Sequence, residues 1–131
     1  MISESQVMTA LYGRLTDQTS AVALFGEPAS VQQTPLLYLL SYESDYALHY
    51  RTGFQLTLAP RVRIVVAWQQ PPTAETQLLA LVDEIGALVT DAPIADACRC
   101  WVNQILYGYL VVGGTKYRLA QLALHIEVDE L

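Results

Sequence analysis

The chain has 131 residues, 53% of them hydrophobic and only 15% charged, with seven basic against thirteen acidic side chains and a net charge of −6. The length fits one domain able to bury roughly two thirds of its unfolded surface, and the acidity argues against a protein that grips phosphate backbones through Lys and Arg. The apolar runs at residues 36–40 and 105–112 fall well short of the ~18 residues a membrane-spanning helix needs.

The start, MISESQVMTA, has neither the basic region nor the apolar core of a secretory signal. A cytoplasmic setting is therefore expected, in which Cys98 and Cys100 stay reduced. So apolar a composition with so few charges also leads us to expect that some apolar surface meets another subunit.

In chain order, Ser3 and Gln6 have the spacing of a capping box, and Ile2 and Val7 that of a hydrophobic staple. They predict a helix over residues 4–15 that lays Val7, Met8, Leu11 and Leu15 on a core. After a polar break at 16–20, AVALF closes at Gly26 and reads as a short helical or extended piece. Pro35 opens LLYLLSYE, apolar on both faces, which predicts a central strand covered on both sides.

Residues 45–59 and 61–69 alternate with the period of strands, at Phe54, Leu56 and Leu58 and again at Val62, Ile64, Val66 and Trp68. A long hairpin turning at Arg51, Thr52 and Gly53 and centred near Thr52 sets Glu43 opposite Arg61 and Tyr42 against Val62. Pro60 then belongs at an edge or bulge.

Pro71 and Pro72 stop that hairpin, Thr73 offers an N-cap, and Glu75 places a carboxylate in the first turn. The helix that follows presents Leu78, Leu81, Val82, Ile85, Leu88 and Val89 on one face and ends at residues 91–93. Strands over 98–112 and 116–129 are joined at Gly113 and Gly114. In the last strand Ala120, Leu122, Leu124, Ile126 and Val128 face one way, and Gln121, Ala123, His125, Glu127 and Asp129 the other. The expected fold class is α+β: a single domain over residues 1–131, an antiparallel β-sheet with two main α-helices packed on one face and a long β-hairpin.

Cys98 and Cys100 share one side of a strand and with His125 offer three possible metal ligands. They lack a second close pair and the usual cysteine separation of zinc sites, so buried small hydrophobes are the plainer reading. A disulfide between them would demand backbone movement. His49 and His125 are the only histidines, and no Gly-x-Ser-x-Gly elbow, glycine-rich phosphate loop or His-Glu-x-x-His motif occurs. No catalytic residue, cofactor or metal is expected, and the carboxylates Asp83, Glu84, Glu127, Asp129 and Glu130 read as solvated charge.

Tyr38, Tyr42, Tyr46 and Tyr50 recur every four residues along one side of an extended arm. Tyrosine joins a large apolar ring to a polar tip and suits protein interfaces. Tyr38 and Tyr42 are expected in the core, and Tyr46 and Tyr50 at an oligomer or partner interface together with His49, Arg51 and Phe54.

The order of features is an amphipathic first helix, a strand opened by Pro35 (PLLYL) and a long hairpin ending in RVRIVVAW. The helix ETQLLALVDEIGALVTD follows, then DAPIADACRCWV and a one-faced last strand, LALHIEVDEL. Over nearly the whole chain this resembles the tail-terminator and tail-completion proteins of long-tailed bacteriophages, in length, order and pattern rather than in diagnostic residues. Phage neck and head-completion proteins share such a pattern. A cellular homo-oligomeric α+β binding module and a small enzyme with a site assembled in space are the other classes.

The resemblance implies a virion protein, assembled in the host cytoplasm, that forms a closed, six-membered ring on the tail tube. Such a ring ends tube growth and presents the surface for head joining. Its partners would be copies of itself, the tail tube protein and a head–tail connector or neck protein, with DNA only as passing cargo and no membrane. From face and exposure, Gln121, His125, Glu127 and Asp129 are assigned to the lumen or exposed sheet face, where carboxylates repel DNA phosphates.

Overall fold

The computed structural model describes residues 3–49, 53–68, 71–90, 93–94 and 98–128, and for residues 46–49, 53–55 and 71 the backbone alone. Among these described residues two helices and a mostly antiparallel seven-stranded sheet make an α+β fold, as the sequence predicts.

Helix α1 (Glu4–Gln18) begins at the expected capping box: Gln6 N–H donates to Ser3 Oγ at 3.2 Å, and Ser3 N–H donates to Gln6 Oε1 at 2.8 Å. Two of the orphan donors at the helix start are thereby satisfied. Val7, Met8, Leu11 and Leu15 are buried, and the helix runs one turn past the expected end. Ile2, the other half of the expected staple, lies outside the described residues. Strand β1 (Val22–Phe25) follows and closes at Gly26, whose φ of 93° is the left-handed conformation that glycine adopts without strain.

Strands β2 (Leu36–Leu40) and β3 (Ser44–His49) form one descending arm, and β4 (Gly53–Leu58) and β5 (Arg61–Ala67) the returning arm. Helix α2 (Pro71–Thr90) leads to β6 (Cys98–Val112) and β7 (Thr115–Val128). The order β1-β2-β5-β7-β4-β3 puts β7 in the middle, with β4 and β5 on one side and β6 on the other. β4 and β5 pair with β7 in one continuous register, from Leu56↔Val128 through Leu58↔Ile126 to Ala67↔Tyr117.

Three expectations about the hairpin need correction. Glu43 does not oppose Arg61: Ala59 N–H donates to the Glu43 carbonyl at 2.8 Å, and Arg61 pairs with Leu40. Tyr42 does not oppose Val62, which pairs with Leu39. Gly53 is not a turn residue, since it pairs with His49 in the ladder. The long-range fit decides the register, because Leu58, Val62 and Ile64 must bury beside Ile126, Leu122 and Ala120 of β7. Pro60 interrupts the arm between β4 and β5, and its carbonyl accepts the Leu124 N–H at 3.0 Å.

Thr73 is not an N-cap either. The helix begins at Pro71, so the two prolines occupy the first turn, where a missing N–H costs nothing, and Glu75 lies beyond that turn. The apolar face of α2 buries Leu78, Leu81, Val82, Ile85 and Val89, as expected. Gly113 (φ 57°) and Gly114 (φ 80°) join β6 to β7 in a two-residue turn with Val112 paired to Thr115. Positive φ at both central positions is what a tight hairpin matching the strand twist requires.

Both helices lie on one face of the sheet over a core that includes Leu37, Leu39, Ile64, Leu122, Leu124 and Ile126. Leu122, Leu124, Ile126 and Val128 are all buried, the division that the alternation of the last strand predicts. The opposite face is not uniformly polar. Leu36, Tyr38 and Val65 bury there against Leu110, Tyr117 and Leu119, which covers β2 on both sides as the unbroken LLYLL predicts.

Candidate functional site

The residues singled out from sequence fall into two groups. Tyr46, His49 and Phe54 lie on β3 and β4 in the hairpin, and Tyr50 and Arg51 lie outside the described residues. Of the tyrosine series, Tyr38 is core, but Tyr42 is 66% exposed, contrary to expectation. The arm breaks after Leu40, so Tyr42 leaves the sheet, and the Arg61 guanidinium lies 4.0 Å from its ring centre.

Gln121, His125 and Glu127 share the face away from the helices, each half-buried and each engaged. Gln121 Oε1 accepts from Arg63 Nε at 2.8 Å. His125 stacks on Trp101 with ring centres 4.5 Å apart, and its Nε2 lies 3.4 Å from Glu127 Oε1. Glu127 pairs with Arg99 at 2.7 Å. Asp129 lies outside the described residues. The expected reading of solvated charge fails at Glu84, whose two oxygens accept from Ser20 N–H at 2.7 Å and Ser20 Oγ at 2.9 Å and tie the α1–β1 junction to α2.

The strand expected over residues 98–112 forms as β6, with an outer edge whose exposure the residue-by-residue reading did not single out. Among the described residues it pairs with β7 alone, so its other edge is open along 15 residues. Exposed apolar side chains leave it on both faces: Trp101 and Leu106 away from the helices, Tyr107, Tyr109 and Val111 toward them. Natural edge strands are usually short, charged or bulged. β6 has one irregularity, at Asn103, and a single charge, Arg99. The signal lay in ILYGYLVV, too apolar for a strand that the two-residue turn places at the end of the chain's last hairpin.

No protein-family model matches the chain, and no curated protein matches it.

At the turn end of the β6–β7 hairpin, Lys116 lies 4.3 Å from the Tyr109 ring centre and 4.8 Å from that of Trp68, and the two rings meet edge to face at 5.4 Å. Arg118 is held on the same face by Glu75 at 2.5 Å and by the Gly108 carbonyl at 2.7 Å. The hydrogen bond that Arg118 Nε donates to the Glu75 carboxylate pushes the guanidinium above its ordinary pKa.

Across the sheet, a cleft of about 410 Å³ opens where β1 ends and the β2–β3 arm breaks. Met8, Leu58 and Pro60 contribute apolar lining, with Phe25 and Tyr42 beside them and Glu4 and Glu43 adding carboxylates.

Cys98 and Cys100 face the helices while His125 faces away, so the sheet separates the three possible ligands. Among the described residues no group of three His, Cys, Asp or Glu could hold a metal ion. Burial pushes the Cys100 thiol up to about 12, with nearby Arg14 opposing and Cys98 adding to the rise.

Proposed function

We propose that this chain is a structural assembly protein of the tail-terminator kind, whose copies close into a ring at the end of a phage tail tube. The observation that carries the reading is the open edge of β6, long, almost uncharged and apolar on both faces. An edge so built is a pairing surface for another protein chain, and Tyr and Trp are the residues such surfaces favour. The chain's acidity and the order of its elements support the same reading.

A terminator must bind the last tube ring on one side without offering a copy of that surface on the other, so its lateral contacts must close. In the proposed ring, six-fold by resemblance, the face bearing Gln121, His125 and Glu127 turns toward the lumen. The β3–β4 hairpin reaches a neighbour or the tube. Net acidity lets DNA pass without adhesion. The role needs neither a cofactor nor a catalytic step.

Imaging of particles made without this protein tests the reading. The expected result is tails of irregular, overlong length that fail to join heads. Tails of normal, uniform length joined to heads would overturn it.

A further inference from the structure

We infer that the lateral contact between copies is an edge-to-edge extension of the sheet, in which the outer edge of β6 in one copy pairs antiparallel with the outer edge of β3 in the next. This rests on the ring reading above and names the surfaces that make it.

The strand directions permit it. β1, β2, β3 and β7 run one way and β4, β5 and β6 the other, so the two outer sides of the sheet are antiparallel to each other. Copies related by rotation about an axis along the strands keep one orientation, and β6 of one then meets β3 of the next as an antiparallel pair. Among the described residues β3 pairs with β4 alone, so its outer edge is open. β1 covers only the β2 half of that arm and stops at Phe25, leaving a notch beside β3 with the Phe25–Tyr42 cleft at its corner.

Exposure follows the same division. Ten large hydrophobic side chains are exposed among the described residues, and eight lie on the two edges: Val22, Phe25 and Tyr42 on one, and the five from β6 on the other. Because the β6 side chains leave from both faces, a partner lying on one face would cover only some of them, whereas an added strand covers both sets.

Charge complements the match. From residue 22 to 45 the chain carries Glu27, Glu43 and Asp45 and no basic residue, and from residue 98 to 118 it carries Arg99, Lys116 and Arg118 and no acidic one. The β1–β3 side is thus acidic, whereas β6 is almost uncharged: Arg99 and Arg118 are paired within the copy to Glu127 and Glu75, and Lys116 lies over the Tyr109 and Trp68 rings. A two-fold contact of the acidic side with itself would set like charges together, which a contact with β6 avoids.

Complementation between edge variants tests the inference. One variant carries Phe25→Arg and Tyr42→Arg, the other Leu106→Glu and Val111→Glu. All four positions are exposed, and circular dichroism with a thermal melt checks that each variant folds. Light scattering across a concentration series should show the unmodified chain associating and each variant alone monomeric, with association weakened at least tenfold. An equimolar mixture should form a one-to-one pair and nothing larger, since each variant keeps one competent edge.

A variant that still self-associates as the unmodified chain does, a mixture that stays monomeric, or an unmodified chain that is monomeric at every concentration would overturn the inference. Edge variants that leave association intact in a chain that caps tubes would sink the edge contact alone. Normal tails without the protein would sink the terminator reading alone.

Discussion

Leu124→Ala probes the part of the fold on which everything else is mounted. Leu124 is 1% exposed on the central strand, paired with Val102 of β6, and its N–H donates to the Pro60 carbonyl at 3.0 Å. The substitution removes three buried carbons, worth about 2.5 kcal/mol at ~0.8 kcal/mol each. Strands on both sides limit collapse around the gap, so a residual cavity of about 60 Å³ adds roughly 1.5 kcal/mol. The expected loss is about 4 kcal/mol, read as a lower urea midpoint at unchanged slope and a melting temperature lower by roughly 15 °C.

Glu127→Ala is the internal control, one face away. Its pairing with Arg99 is partly solvated, so the expected loss is under about 1 kcal/mol. A loss below about 1 kcal/mol at Leu124, or a comparable loss at Glu127, would refute the assignment of faces on β7.

Further outcomes follow from local geometry. Gly114→Ala places a side chain at φ 80°, and urea melts should show a loss of about 1–2 kcal/mol although nothing beyond the residue and its two chain neighbours lies within 4 Å of the added carbon. Ser3→Ala removes one half of the capping box and should cost about 1 kcal/mol by the same assay. Cys100 keeps its proton in the folded protein up to about 12 while the unfolded thiol loses its proton near 9.0. The unfolded state therefore binds fewer protons between those values, and the thiol's contribution to stability, complete below pH 9, falls as pH rises toward 12. The same shift predicts slow alkylation of Cys100 at pH 8, which a rate equal to that of a free thiol would contradict.

What was legible in the sequence followed from short-range periodicity. Ser3 with Gln6, the stripe from Val7 to Leu15, the apolar face of α2 and the alternation of β7 each depend on neighbours within a turn or along one strand. The hairpin register was not legible, because pairing with β7 rather than the local turn fixes β4 and β5. Tyr42 looked like core by its spacing from Tyr38, and the break after Leu40 turned it out.

Prolines misled at Thr73 because two of them can serve as a helix's first turn as well as end a strand. The open β6 edge could not be read from strand pattern alone, since periodicity says which face is buried but not which strand lies outermost. Of the residues expected at the lumen, the described ones, Gln121, His125 and Glu127, share a face. Their partners, Arg63, Trp101 and Arg99, come from strands on both sides of β7 and could be found only through the pairing.

The central claim is that copies of this chain cap a tail tube by closing into a ring. Adding the purified chain to polymerising tail tube protein and measuring the tubes by electron microscopy tests it most directly. Tubes should shorten as the chain is increased, each carrying one ring of extra density at a single end. Binding along the tube wall, or a length distribution unmoved at molar excess, would contradict it.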